Sequence, residues 1–180
     1  MHAESATVLI VDDQPLNIDL LEQELHAAGY RTLAVRGGEA ALARAREAVP
    51  DLILLDVMMP GIDGYETCRR LKADELTRSI PVIFLTALKE TFEKLRAFEL
   101  GAVDYVTKPF ESEELLARVG THVALRREIE AHRRSKATIR VLLEQSRAEA
   151  DGALIGDSAA LALVREQIAQ VAATDRARCW

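Results

Sequence analysis

The chain has 180 residues, of which 49% are hydrophobic and 4% aromatic, and its net charge of −6 lies entirely in residues 1–110. This length allows one domain of about 120 residues with an aliphatic core plus an extension, and the acidic first part argues against direct nucleic-acid binding by that domain. The sequence has no run of 18 apolar residues, no signal peptide and no Cys-x-x-Cys pair, so we expect a cytoplasmic protein with no membrane span, disulfide framework or zinc site.

Apolar runs and helical spacing alternate along the chain. Five runs predict strands, in chain order at residues 7–11, 31–35, 52–55, 80–85 and 103–107. A helical pattern follows each run, at residues 15–28, 39–48, 65–73, 88–100 and from 112 onward, with Ser112 as the N-cap of the last helix. Five β-α units predict an α/β fold: a doubly wound, flavodoxin-like, five-stranded parallel sheet of order 2-1-3-4-5 with a C-terminal helical extension.

Four of the five strands end in side chains that can carry chemistry. The first ends at Asp12 and Asp13, and the third, which has no polar alternation, ends at Asp56 before the turn sequence Met-Met-Pro-Gly. The fourth strand ends at Thr86 and the fifth at Lys108. Because the carboxyl ends of parallel strands meet at one edge, and strands 1 and 3 are neighbours in this order, we expect these five residues at one rim of the sheet.

Three carboxylates packed together repel one another, so the rim needs either protonation or a cation. A hard divalent ion such as Mg²⁺ is the better explanation, because it takes oxygen ligands and is commonly held by one or two carboxylates plus phosphate oxygens. Carboxylates also act as phosphoryl nucleophiles, while a lysine and a threonine hydroxyl can contact phosphoryl oxygens. Such a set of residues can therefore carry phosphoryl chemistry through an aspartyl phosphate.

With Thr86-Ala87 and Lys108-Pro109 at these spacings, the chain closely resembles the receiver domain of bacterial two-component response regulators from about residue 6 to residue 124. The resemblance implies that Asp56 accepts a phosphoryl group from a sensor histidine kinase or phosphotransfer protein. It implies that Ala87, Thr86 and Lys108 contact that group, and that the protein is a signalling domain rather than an enzyme.

The resemblance also implies a ligand set for the metal. Mg²⁺ would be bound by Asp13, Asp56 and the main-chain carbonyl of Met58, with Asp12 bound indirectly or through water. The Lys108–Pro109 bond matches a cis peptide bond of the family, an isomer available in practice only before proline.

A switch is implied by the same resemblance. Thr86 would turn toward the phosphoryl group and Tyr105 would move inward behind it, repacking the face built from the fourth helix, fifth strand and fifth helix, where many relatives form homodimers. Met58 and Leu88 would flank the path of the attacking water. Since neither can orient water, we expect slow self-hydrolysis on a timescale suited to transcription.

Other interpretations remain open. Asp12 and Asp13 alone could be turn residues, and Asp63 and Asp104 are interpreted as solvated. The chain could be a single-domain phosphorelay shuttle or docking protein with no output domain. A carboxylate-dependent phosphatase is less well supported, because it needs a second acid two residues after the nucleophile, where Met58 stands.

We divide the chain into a receiver domain (1–124), a helical linker (125–150) and a short helical tail (151–180). Apolar residues recur in the linker at a 4-3 spacing that permits a coiled coil, at Leu125, Ile129, Ile139, Leu143 and Ala150. Other positions of this seam are polar, at His132, Lys136 and Ser146. Between Arg118 and Arg147 there are eight bases and three acids, which we interpret as a solvated helix face rather than a patch for nucleic acid or an acidic partner.

The tail resembles the opening of the ATPase domain of nitrogen-regulation-type enhancer-binding transcription activators. No phosphate-loop motif follows, so the chain cannot be an ATPase as it stands. We expect the start of a truncated output domain and a transcriptional output.

Overall fold

The computed structural model describes residues 5–87 and 98–153, and side chains of the last helix as far as residue 144. The chain divides into two units, residues 1–130 and 131–180. Most of the predicted helix 88–100, including Leu88, and the helix predicted in the tail lie outside the described residues.

The described residues form one parallel sheet with strand order β2-β1-β3-β4-β5. Its strands are β1 (Thr7–Val11), β2 (Arg31–Val35), β3 (Leu52–Asp56), β4 (Val82–Thr86) and β5 (Asp104–Thr107). The helices are α1 (Pro15–Ala27), α2 (Gly38–Ala48), α3 (Gly64–Ala73) and the C-terminal helix (Ser112–Ala153). The predicted flavodoxin-like fold with a C-terminal helix is confirmed.

The core has two layers because alternate residues of a strand face opposite sides of the sheet. On one side, Leu9, Ile53 and Leu55 pack with α2 and α3. On the other, Ile10, Leu54 and their neighbours pack with α1 and the C-terminal helix. Burial on both sides explains why β3 has no polar alternation before Asp56.

The loop from β3 to α3 is fixed by Asp63 and Gly64. Asp63 is exposed but caps α3, since its Oδ1 accepts a 2.7 Å hydrogen bond from the main-chain N–H of Glu66. A Cβ on Gly64 would lie 2.3 Å from the main-chain oxygen of Asp56, so only glycine fits this close approach. The loop is therefore packed directly against the end of β3.

Three predicted helix boundaries differ from the structure by one residue, and the predicted N-cap of the last helix was wrong. The main-chain oxygen of Glu111 accepts the hydrogen bond from Leu115 N, so Ser112 is the first helical residue and not the N-cap. Among the described helices, none has a stretch of 18 residues apolar enough to cross a membrane.

Candidate functional site

Asp12, Asp13 and Asp56 meet where β1 and β3 end side by side. Asp56 is the last residue of β3, and Asp12 directly follows β1, its neighbour in the sheet. One carboxylate oxygen from each of the three residues lies within 4.8 Å of the others. Asp12 is fully buried and Asp56 is 4% exposed, so these charges have little access to water.

Lys108 reaches this cluster from the end of β5. Its Nζ lies 2.7 Å from Asp12 Oδ2 and 3.2 Å from Asp56 Oδ1. Its main-chain N–H donates a 2.7 Å hydrogen bond to the carbonyl of Thr86, and the Lys108–Pro109 peptide bond is cis. One ammonium group thus compensates two of the three carboxylates.

Burial raises the pKa of Asp56 above its ordinary value of 3.8. Lys108 lowers this pKa and Asp12 raises it again, and the net shift is upward. The ionised carboxylate is therefore held in an environment that disfavours its charge, and further positive charge at the cluster would stabilise it.

The three carboxylates differ in how many hydrogen-bond donors they contact. Asp12 accepts hydrogen bonds from three donors: Gln14 N, Lys108 Nζ, and Asn17 Nδ2, which is shared between its two oxygens. The Oδ1 atom of Asp13 is buried, and within the described part of the chain it has no hydrogen-bond partner. A buried, unpaired carboxylate oxygen next to Asp56 fits a hard divalent cation, which takes oxygen ligands.

The remaining predicted site residues lie at or just after the ends of β3 and β4. Thr86 is buried as the last residue of β4, and Ala87 follows it at the surface. The main-chain N–H of Met58 donates a hydrogen bond to the Asp56 carboxylate, while the Met58 side chain is 68% exposed. The Met58 carbonyl as a metal ligand stays a prediction.

Tyr105 on β5 is partly buried and lies against two side chains. Its ring centroid is 6.2 Å from that of Phe98 and 5.8 Å from the guanidinium carbon of Arg118. Its neighbour Asp104 was predicted to be solvated, and this was wrong: Asp104 pairs with Arg118 at 2.6 Å and with His122 at 3.3 Å. The C-terminal helix thus brings the Arg118 and His122 side chains to Asp104.

The sequence analysis missed Asn17. Its amide nitrogen donates to both oxygens of Asp12, at 3.1 and 3.0 Å. The signal available was an amide in the first turn of α1, five residues after the acid that ends β1. Helical spacing alone does not show that this side chain turns back over the strand end.

The fold and acidic site define a receiver domain: the chain belongs to the response regulator receiver domain family, whose model matches residues 8–120. Members of this family are signalling proteins that bind Mg²⁺ at an acidic site and interact with histidine kinases or phosphotransfer partners.

Individual relatives are similar over the same region. Response regulator PleD of Caulobacter vibrioides is 48% identical over 115 residues, which are 64% of this chain and 25% of PleD. The phosphate regulon transcriptional regulatory protein PhoB of Pseudomonas aeruginosa is 48% identical over 113 residues, 63% of this chain and 49% of PhoB. The chain thus spans between a quarter and a half of these relatives.

A solved receiver domain, that of sensor histidine kinase PA1611 from Pseudomonas aeruginosa PAO1, superposes with a TM-score of 0.63 and 32% identity. The match covers 67% of this chain and 98% of that one. That crystal structure has a magnesium ion coordinated in its active-site cleft.

Proposed function

We propose that this protein accepts a phosphoryl group on Asp56 from a phosphohistidine of a sensor histidine kinase or phosphotransfer protein. The observation that carries the proposal is the position of Asp56. It is a buried carboxylate at the end of β3, in contact with Lys108 and next to an unpaired oxygen of Asp13.

In the proposed transfer, an Asp56 carboxylate oxygen forms a bond to phosphorus as the phosphorus–nitrogen bond of the phosphohistidine breaks, and the imidazole keeps that electron pair. We assign Lys108, which contacts Asp56, to the phosphoryl oxygens, together with Thr86 and Ala87. These contacts compensate charge that increases during transfer.

We assign Mg²⁺ to Asp13, Asp56 and the Met58 carbonyl, with Asp12 acting through water. When bound, the ion would supply positive charge that screens the phosphoryl oxygens from the attacking carboxylate. The fit rests on the carboxylate donors and on the unpaired Asp13 oxygen.

For the output, we propose that Thr86 and Tyr105 respond to the change of charge at Asp56 and alter the packing between β5 and the C-terminal helix. That change would control homodimerisation and a transcriptional output. Relatives that include PhoB are transcriptional regulators, which supports this direction. Exposed Leu125, Ile129 and Ile139 on the helix support pairing of two copies.

The phosphoacceptor assignment can be tested by intact mass after treatment with acetyl phosphate and Mg²⁺. The wild type should gain the mass of one phosphoryl group, and Asp56→Asn should gain none. Asp19→Asn is the matched control, because Asp19 is exposed on α1. Equal mass gain in wild type and Asp56→Asn, or no gain in either, would refute the assignment.

A further inference from the structure

We infer that Asn17 is a positioning residue that keeps Asp12 from ligating the metal directly and so makes the site selective for Mg²⁺ over Ca²⁺. This inference rests on the proposed metal site. It goes further by assigning a role to a side chain outside the three carboxylates.

The carboxylate of Asp12 has a limited number of acceptor positions. An ionised carboxylate has about four lone-pair positions on its two oxygens. In Asp12, Oδ1 contacts Gln14 N at 2.8 Å and Asn17 Nδ2 at 3.1 Å, and Oδ2 contacts Asn17 Nδ2 at 3.0 Å and Lys108 Nζ at 2.7 Å. Both carboxylate oxygens are therefore already engaged by protein donors.

Asp13 differs from Asp12 in its hydrogen bonding. Its Oδ1 is buried without a hydrogen-bond partner among the described residues, although it lies in the same cluster. Asp13 can thus offer an oxygen at no cost in hydrogen bonds, whereas Asp12 would have to give one up. The Asn17 amide nitrogen contacts both oxygens of Asp12.

Mg²⁺ and Ca²⁺ require different numbers of oxygen ligands. Mg²⁺ needs a small octahedral shell, keeps several waters and is satisfied by one or two carboxylates. Ca²⁺ takes six to eight oxygens, often with a bidentate carboxylate. A third free carboxylate would therefore increase the affinity for Ca²⁺ much more than the affinity for Mg²⁺. The Asn17 amide keeps the Asp12 carboxylate from serving as that third ligand.

The test is to titrate Mg²⁺ and Ca²⁺ by calorimetry into the full chain as wild type and as Asn17→Ala. We expect Asn17→Ala to bind Ca²⁺ about tenfold more tightly while its affinity for Mg²⁺ changes less than about threefold. Gln14→Ala is the local control: the Gln14 side chain is exposed, and the contact to Asp12 comes from its main-chain nitrogen. It should leave both affinities unchanged.

An unchanged ratio of the two affinities in Asn17→Ala would overturn the inference, as would a parallel loss for both ions, which would indicate a merely structural role. Asp13→Asn should strongly weaken the binding of both ions, because it removes a proposed ligand of the metal. If the wild type binds neither ion, the proposed metal site fails together with this inference. If the wild type binds Mg²⁺ but the ratio of Mg²⁺ to Ca²⁺ affinity is the same in Asn17→Ala as in the wild type, the inference alone fails. Melting temperatures in metal-free buffer show whether each variant is folded.

Discussion

At the residue scale, the site depends on close packing as much as on charge. The Asp56 carboxylate contacts Lys108, and the main-chain oxygen of Asp56 packs closely against Gly64. The N–H of Gly64 also donates a 2.9 Å hydrogen bond to the carbonyl of Val57. The main chain at Asp56 is therefore in close contact with the start of α3, and an added side chain at residue 64 would disturb it.

Gly64→Ala should disrupt this packing. The added Cβ would lie 2.3 Å from Asp56 O and 2.8 Å from Val57 Cα, and both are main-chain atoms that must move. We expect a loss of about 1–3 kcal/mol in the free energy of unfolding, as for other overpacked sites, and slower phosphorylation by acetyl phosphate. Urea denaturation measures the first quantity and intact mass over time the second.

Gly120→Ala is the control for that substitution. Its Cβ would lie at an ordinary 3.5 Å from Tyr30 Oη, within a helix where alanine is favoured over glycine. Equal stability losses in the two variants would show that the tight approach to Asp56 is unimportant.

At the scale of elements, β5 is joined to the C-terminal helix by Asp104. Its carboxylate pairs with Arg118 and His122 of that helix, and Arg118 also lies over the Tyr105 ring. Burial alone would raise the pKa of Asp104, but hydrogen bonds from Arg118, from the Tyr105 main-chain N–H and from His122 bring it below its ordinary value of 3.8.

A lowered pKa in the folded state means that Asp104 stabilises the fold above its unfolded pKa, and that this stability is lost as the pH falls through the folded pKa. Asp104→Asn should therefore lower the free energy of unfolding by about 1–2 kcal/mol at pH 7. The difference from wild type should shrink steadily below about pH 4. Urea denaturation at several pH values checks this, and a difference that grows toward acid would contradict it.

At the scale of the whole molecule, the described residues combine a two-layered receiver fold with a helix of 42 residues. Leu125, Ile129, Ile139 and Leu143 on that helix are between 44% and 57% exposed. Exposed aliphatic residues at a 4-3 spacing are typical of the seam between paired helices.

Replacing Ile139 and Leu143 together by Glu should reduce dimerisation, because it places like charges in the proposed seam. Sedimentation velocity, with and without beryllofluoride and Mg²⁺, measures the effect, and we expect at least a tenfold weaker dimer. Thr138→Glu is the control, since Thr138 is exposed outside the seam. A wild type that stays monomeric in both conditions would instead support a shuttle or docking protein.

The sequence was sufficient for the sheet order and for the convergence of Asp12, Asp13, Asp56, Thr86 and Lys108, because strand ends in a parallel α/β fold must share one edge. It was insufficient where two elements pack side by side. The pairing of Asp104 with Arg118 and His122 spans 14 and 18 residues and depends on how the C-terminal helix lies over β5. The approach of Gly64 to Asp56 and the turn of Asn17 over Asp12 likewise depend on tertiary packing, which local patterns do not encode.

The position of β3 in the sheet has a consequence for motion. It is the middle strand, bonded on both sides, and all five of its residues are buried. Asp56 is thus anchored in a strand that is hydrogen-bonded and packed on both sides, so we expect it to shift little when its charge changes. Displacement should instead occur at the periphery, in β5 at the edge of the sheet, where Lys108 and Tyr105 are attached.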